Sequence, residues 1–235
     1  MLSVIVPCHN EAGYIERLLA SLVRQTFDRR CFEVVVVDNA STDSTAAEVR
    51  EFARDGPLDL RLVSERILGV SIARNRGAAA SRHDVLVFLD ADNIVRPEFL
   101  EAVAATFADN RVAGATIRTD AEPTDRFGPW LFAGLDIVKR RVGRPFGKSA
   151  LRRTLFVELG GYHEDISLGE NVELLVRARR VCRRQGKRFV HLPTPITCSL
   201  RRFQRLGYAR VLSQWMIPYL GYWRLEYRAM SDLGG

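Results

Sequence analysis

The sequence predicts an α/β fold in which a mostly parallel sheet lies between helices. Short β-branched runs alternate with longer helical patterns through the first half of the 235 residues. Two of these runs, 34–37 and 85–89, are apolar at every position, which is typical of strands buried on both faces of a parallel sheet. The composition, with 47% hydrophobic and 27% charged residues, is that of a folded chain and excludes intrinsic disorder.

The alternation can be followed element by element through residue 117. Strands are predicted at 2–6, 33–37, 58–63, 85–89 and 112–117. Helices are predicted between them at 11–25, 45–54, 70–81 and 97–108. Local signals support these bounds, because Thr45-x-x-Glu48 fits a capping box and Asp55-Gly56-Pro57 can end a helix.

The chain after residue 117 is less regular. Prolines and glycines between 123 and 147 predict loops around a helix at 131–141, which we expect to form one wall of a cleft. A further helix is predicted from Glu170 to Gln185, where Gly186 ends it, and a strand is predicted at 188–192.

Charge is distributed unevenly along the chain. The formal net charge is +7, but residues 1–138 carry 15 basic and 21 acidic side chains, whereas 139–235 carry 20 and 7. The four cysteines form no Cys-x-x-Cys pair, and neither a signal peptide nor an apolar run of about 18 residues is found. We therefore expect a cytoplasmic protein without a membrane span.

Polar residues follow three of the predicted strands, at the edge where an open parallel sheet binds its ligands. The first strand leads into Pro7-Cys8-His9-Asn10-Glu11. The second leads into Asp38-Asn39-Ala40-Ser41-Thr42-Asp43, and the fourth into Asp90-Ala91-Asp92-Asn93. We expect these three segments to converge on one site.

Asp90 and Asp92 flank one small residue at the end of a buried strand. One carboxylate could bind a hard divalent cation, Mg²⁺ or Mn²⁺, while the other binds ribose or a metal-bound water. The alternative is an acidic turn that caps the next helix. Asp38 likewise suits either a contact to a base or ribose, or a local turn. Arg74 lies near the position expected for a diphosphate, and no Gly-x-Gly-x-x-Gly motif marks a dinucleotide site.

Several short motifs, taken in order, resemble the family 2 glycosyltransferases, which are inverting enzymes with a GT-A-type nucleotide-sugar fold. The resemblance covers roughly residues 2–202. The matching pieces are Val4-Ile5-Val6-Pro7-x-x-Asn10-Glu11, Val36-Val37-Asp38-x-x-Ser41-Thr42-Asp43, Ala73-Arg74-Asn75-x-Gly77, Asp90-Ala91-Asp92, Arg152-Arg153, Gly160-Gly161-Tyr162-x-Glu164 and Gly169-Glu170-Asn171-Val172-Glu173-Leu174.

The resemblance implies a domain at 1–200, with a nucleotide-binding half at 1–117 and an acceptor half at 118–200, followed by a basic C-terminal segment at 201–235. It implies metal-dependent transfer of a sugar from a nucleotide-sugar donor to an acceptor hydroxyl, with inversion. The residues implied in donor binding are Pro7, Asn10, Glu11, Asp38, Arg74, Asp90, Ala91 and Asp92, of which Asp90 and Asp92 would also serve the metal.

The expected general base is where this chain departs from the family. The family usually has Glu-Asp at the position of Glu170-Asn171, and that Asp deprotonates the acceptor. An asparagine cannot do this, so Glu170 is the nearest substitute. Glu173 shares the same helix face, but a salt bridge with Arg177 is the favoured interpretation of that side chain.

The basic half allows other partners and other functions. The 201–235 segment is aromatic and amphipathic, and either an anionic membrane surface, at the inner face of the membrane, or packing on the domain or on a second copy would suit it. Competing functions are a non-catalytic nucleotide-sugar-binding protein, a nucleotidyltransferase and a basic nucleic-acid-binding module. The last would leave Asp38, Asp90 and Asp92 without a role, so no nucleic acid is expected.

Overall fold

One sheet and the helices packed on it make up the computed structural model, which describes residues 1–125, 127–142, 147–166 and 168–213. Within these ranges the strands are β1 (Leu2–Cys8), β2 (Phe32–Asn39), β3 (Leu60–Glu65), β4 (Val85–Phe88), β5 (Asn93–Val95), β6 (Val112–Ala121), β7 (Lys148–Arg152) and β8 (Arg188–Cys198). The helices are α1 (Ile15–Val23), α2 (Thr45–Asp55), α3 (Val70–Ala80), α4 (Phe99–Ala108), α5 (Phe127–Val142), α6 (Arg153–Glu158), α7 (Glu170–Arg184) and α8 (Arg201–Leu206).

The strand order is β3-β2-β1-β4-β7-β6-β8-β5, and the two halves of the sheet differ in direction. The first four strands are parallel to one another. β7 is antiparallel to both β4 and β6, β8 is parallel to β6, and β5 is antiparallel to β8. The predicted α/β class is therefore confirmed, with a mixed second half that the alternation of strands and helices did not reveal.

Side chains on β1 show that the sheet is covered on both faces. Val4 and Val6 pack with Leu18 of α1 in one buried cluster, and Ile5 packs on the opposite face in another. Each of these side chains is fully buried, which typically contributes about 1.5–3 kcal/mol. The predicted two-sided burial of the central strands is confirmed.

Gly77 allows α3 to lie close to the sheet. A Cβ atom at this position would be 2.5 Å from Cγ2 of Ile5 and 3.1 Å from Cγ2 of Val37, so any side chain here would push the helix away. Arg74 lies one turn earlier on the same helix. The close approach therefore fixes where the Arg74 side chain enters the site.

The start of α1 and the capping of α2 differ from the sequence-based expectation. α1 begins at Ile15 and not at residue 11, because Asn10 (φ 55°) and Gly13 (φ 75°) adopt left-handed conformations that interrupt a helix. The capping box at Thr45 is wrong, since Ser44 is the residue before α2. The Thr45 hydroxyl instead accepts a hydrogen bond from the Glu11 backbone N–H at 2.8 Å.

No helix within the described ranges is both long and apolar enough to cross a membrane. The C-terminal helical segment predicted at 201–235 is seen only in part. α8 lies at its start, and the aromatic stretch after residue 213 lies outside the described residues.

A buried carboxylate, Glu33 on β2, stabilises the parallel half of the fold. It accepts hydrogen bonds from the Ser3 hydroxyl at 2.7 Å and from the Arg61 guanidinium at 2.6 Å, and Arg82 Nε lies 3.0 Å away. Burial alone would raise the pKa of Glu33, but the hydrogen bonds from Ser3, Arg82 and Arg61 outweigh it and lower the pKa to about 2.

We expect Glu33→Gln to lose about 3 kcal/mol of stability at pH 7, since the folded pKa lies below the ordinary value of 4.5. A depressed carboxylate pKa stabilises the fold above the unfolded-state pKa, and this contribution disappears as the pH falls from 4.5 towards 2. Urea unfolding at pH 7 and pH 3 tests this expectation. An equal loss at both pH values would contradict it.

Candidate active site

The loops after β1 and β2 are tied together by reciprocal hydrogen bonds. The Asn10 backbone N–H donates to Ser41 Oγ at 3.1 Å, and the Thr42 N–H donates to Asn10 Oδ1 at 2.8 Å. Asp38, half-buried at the end of β2, accepts a hydrogen bond from the Ser41 N–H at 3.3 Å. The first two predicted polar segments therefore converge.

A buried arginine connects three separate parts of the chain. Arg74 is 2% exposed, and its guanidinium contacts Glu170 Oε1 at 2.7 Å and Asp90 Oδ1 at 3.0 Å. Lys148 on β7 contacts the other oxygen of Asp90. The predicted residues Arg74, Asp90 and Glu170 thus form one ion-pair chain at the end of β4.

Lys148 was not among the predicted site residues. Burial lowers the pKa of Lys148 to about 7, and the charge of Arg74 acts in the same direction. Two cationic side chains therefore lie on one carboxylate, at the place where the sequence predicted a diphosphate. An anionic ligand at this point would relieve the repulsion between the two cations.

Asp92 has a different environment from Asp90. Burial raises the pKa of Asp92 to about 6; Arg201 opposes this shift, while Glu11 and Glu122 add to it. Arg201 Nε lies 3.8 Å from Asp92 Oδ2. A carboxylate that is buried near other carboxylates favours an added cation, and its oxygen atoms suit Mg²⁺ or Mn²⁺.

Arg201, which is distant in the sequence, contacts residues that follow β1. It forms an ion pair with Glu11, and its guanidinium lies 4.2 Å from the centre of the Tyr14 ring. The sequence predicts Arg201 in a basic segment that could face a membrane or pack on the domain. In the structure its guanidinium lies instead between Glu11 and Asp92, two of the residues predicted to bind the donor.

The start of α7 presents the residues expected to activate the acceptor. Gly169 before it has φ 84°, a left-handed conformation that suits glycine. The Tyr162 hydroxyl donates to Asn171 Oδ1 at 2.9 Å, and Asn171 Nδ2 donates to Glu170 Oε1 at 3.3 Å. Asn171 is therefore held from both ends and orients Glu170.

Glu173 forms the salt bridge with Arg177 that its spacing predicts. Arg177 also donates to the backbone oxygens of Leu159 at 2.6 Å and Gly161 at 2.9 Å. Glu173 is only 8% exposed and Arg177 is half-buried, so the pair is not on the solvated face that the sequence suggested. This arrangement gives Glu173 a structural role.

A second group of polar residues lies where β6, β8 and α5 meet. Thr116 Oγ1 and His191 Nδ1 are hydrogen-bonded at 3.0 Å, and His191 Nε2 lies 3.5 Å from Asp136 Oδ1. The sequence analysis missed these residues, because each lies alone within an apolar strand or helix. Only their pairing across β6, β8 and α5 brings them together.

The remaining predicted donor-site residues are part of the framework. Pro7 lies on β1 opposite Val37 of β2, and Ala91 is 1% exposed within the core. A nucleotide could therefore contact Ala91 only through its backbone. Within the described ranges, no group of three or more His, Cys, Asp or Glu side chains could hold a metal ion by itself.

The sheet with these polar ends defines the class of the protein: it has a Rossmann-like fold of the GT-A type, that of nucleotide-sugar transferases. The chain belongs to glycosyl transferase family 2, whose family model matches residues 3–168. The family resemblance seen in the sequence is confirmed.

Known relatives agree with this family. Validoxylamine A glucosyltransferase of Streptomyces hygroscopicus subsp. jinggangensis is 38% identical over 110 residues, which is 46% of this chain and 26% of that protein. Staphylococcus aureus TarS in complex with UDP-GlcNAc superposes with a TM-score of 0.66 at 22% identity, over 84% of this chain and 58% of that one.

The mannosyltransferase PcManGT from Pyrobaculum calidifontis, in complex with GDP-Man and Mn²⁺, has a TM-score of 0.64 at 26% identity. That match covers 83% of this chain and 56% of the other. The chain therefore spans less than two thirds of the length of each of these relatives.

Proposed function

We propose that this protein transfers a sugar from a nucleotide-diphosphate sugar to an acceptor hydroxyl, with inversion. The observation that carries the proposal is the ion-pair chain of Lys148, Asp90, Arg74 and Glu170, which joins the predicted diphosphate position to the start of α7. It supplies cations for a diphosphate and a carboxylate for an acceptor in one continuous group. The glycosyltransferases among the relatives support the transfer of a sugar.

In this mechanism each polar segment has one task. Asp38 and Asn10, with Pro7 and Glu11 beside them, form the pocket for base and ribose. Arg74 and Lys148 stabilise the negative charge that grows on the leaving diphosphate, a type of electrostatic stabilisation commonly worth several kcal/mol. Glu170 and Asn171, at the start of α7, are the residues assigned to the acceptor.

Glu170 is the base in our proposal. It takes the proton of the acceptor hydroxyl, whose oxygen then attacks the anomeric carbon from the side opposite the diphosphate. The bond to the diphosphate breaks as the new glycosidic bond forms, so the configuration inverts. Asn171 orients Glu170 through its amide.

A divalent cation, Mg²⁺ or Mn²⁺, fits at Asp92 better than at Asp90. Asp90 is already paired with two cations, Arg74 and Lys148, whereas half-buried Asp92 faces one, Arg201 at 3.8 Å, and is also acted on by the charges of Glu11 and Glu122. When bound, the cation would neutralise charge on the diphosphate oxygens as a Lewis acid. The Mn²⁺ in the PcManGT complex supports this proposal.

Asn171 supports a second candidate function. Because an asparagine replaces the expected base, the chain could bind a nucleotide sugar without transferring it. The predicted glycan, lipid-linked or small-molecule acceptor, the homo-oligomer and the cytoplasmic location at the inner face of a membrane stay predictions.

A thermal-shift and hydrolysis screen of several nucleotide sugars with Mn²⁺ tests the proposal. We expect one donor at 100 times its Kd to stabilise the protein by about 2.7 kcal/mol, which raises the melting temperature by roughly 5–10 °C. Slow donor hydrolysis should accompany the shift. A shift without hydrolysis or transfer to any acceptor would favour the non-catalytic candidate, and no shift with any donor would contradict both.

A further inference from the structure

Helix α5 carries several apolar side chains outwards. Phe127 is 55% exposed, Trp130 80% and Ile137 50%. The other exposed positions between them are Ala133 and Gly134, so the described outward face has no charged residue. An ordinary surface helix carries polar and charged side chains on its outward face.

The spacing puts the exposed residues on one stripe. Phe127, Trp130, Gly134 and Ile137 follow one another at intervals of three and four, which aligns side chains along a helix. The stripe extends about 15 Å, from ten steps of 1.5 Å. A large exposed apolar stripe of this kind marks an interaction surface.

The inner face of α5 already packs against other parts of the protein, so the helix cannot rotate to bury the stripe. Phe132 packs on Phe203 of α8, with ring centres 5.8 Å apart. Phe127, at the start of the stripe, is partly covered because it packs edge-on against Tyr208 at 4.7 Å. A Cβ atom on Gly128 would be 2.3 Å from Leu200 Cδ1. Together with the Asp136–His191 contact, these interactions fix the rotation of the helix.

The charge of the neighbouring sequence indicates the partner. The residues that follow the stripe in the sequence include Lys139-Arg140-Arg141 and Arg144. A basic sequence that adjoins an apolar stripe with a tryptophan complements anionic lipid headgroups above an acyl layer.

We propose that the outward face of α5 docks this protein on an anionic membrane surface, with Trp130 and Ile137 entering the headgroup region. The side chains assigned to this surface belong to α5 and not to the 201–235 segment. The docking does not depend on the proposed transfer reaction, because lipid binding is measured without donor or acceptor.

Vesicle flotation of the full chain tests the proposal, with neutral phosphatidylcholine vesicles and with vesicles containing phosphatidylglycerol. We expect binding to the anionic vesicles only, and weaker binding in 0.5 M salt because ions screen the attraction. The double variant Trp130→Ser/Ile137→Ser should lower the partition coefficient at least tenfold. The matched control Val157→Ser, which removes a 68% exposed apolar residue from α6, should not change it.

Three results would overturn the proposal. One is wild-type flotation of the double variant, and another is equal binding of the wild type to neutral and anionic vesicles or to neither. The third is a change from dimer to monomer, or a large change in melting temperature, on introducing Trp130→Ser/Ile137→Ser without lipid. That result would show that a second copy or the chain itself covers the stripe.

Discussion

Glu170→Gln is expected to fold and bind donor normally while its transfer rate falls by about 10²–10⁴-fold, the usual contribution of a positioned base. The substitution keeps an oxygen that can accept the hydrogen bond from Arg74 but removes the ability to take a proton. Arg74 also retains its contact with Asp90. The loss of a charge at the start of α7 should cost only about 0.3–1 kcal/mol.

Glu173→Gln is the matched control for this variant. It makes the same chemical change one turn along the same helix, but Glu173 contacts Arg177 and His163. We expect Glu173→Gln to lower the melting temperature and to leave the transfer rate of the folded protein close to that of the wild type. Measurement of both quantities for both variants separates the roles. Near wild-type turnover of Glu170→Gln would contradict the assignment, and inactivity of a folded Glu173→Gln would move the base to Glu173.

Asp92→Ala is expected to abolish the divalent-cation requirement of nucleotide-diphosphate binding together with most of the affinity. The reason is that the variant removes the carboxylate we assign to the cation. Titration calorimetry with the nucleotide diphosphate, with Mn²⁺ and then with EDTA, measures both effects. Undiminished and EDTA-insensitive binding by the variant would overturn the assignment.

Asp90→Asn distinguishes the two carboxylates. Because Asp90 is paired with Arg74 and Lys148, its neutralisation should destabilise the fold by on the order of 1 kcal/mol while the Mn²⁺ requirement persists. The wild type should also bind the cation less tightly as the pH falls below about 6, since the proton then competes for Asp92. Cation affinity that is constant from pH 8 to pH 5 would contradict this role.

The parts of the site that the sequence predicted are those encoded by local patterns. Asp38 and Asp90 could be placed because each directly follows a run of buried β-branched or apolar residues, whose direction in a parallel sheet is known. The departure at Asn171 was visible only from the family resemblance, because the family usually has Glu-Asp at the position of Glu170-Asn171.

The missed residues depend on pairing between distant segments. Lys148 belongs to β7, a strand of five residues that lies between β4 and β6 and is antiparallel to both. No local sequence pattern indicates this antiparallel direction. β8 contains Pro193 and Pro195, which argue against a strand beyond Leu192; they fall in a shift of the pairing register with β6, between Leu192 and Ile196. Arg201 resembles any other arginine of a basic helix until the chain brings it to Glu11.

The contact between Arg201 and Glu11 spans 190 residues, and this separation has a consequence for the order of folding. The four parallel strands at the N-terminal end can pair soon after they are synthesised, but Glu11 and Asp92 remain without their arginine until nearly all of the described chain has been made. Closing so long a loop carries an entropic penalty that local contacts avoid. The proposed donor pocket should therefore form last during folding. Its backbone amide hydrogens should exchange with solvent sooner than those of the central strands.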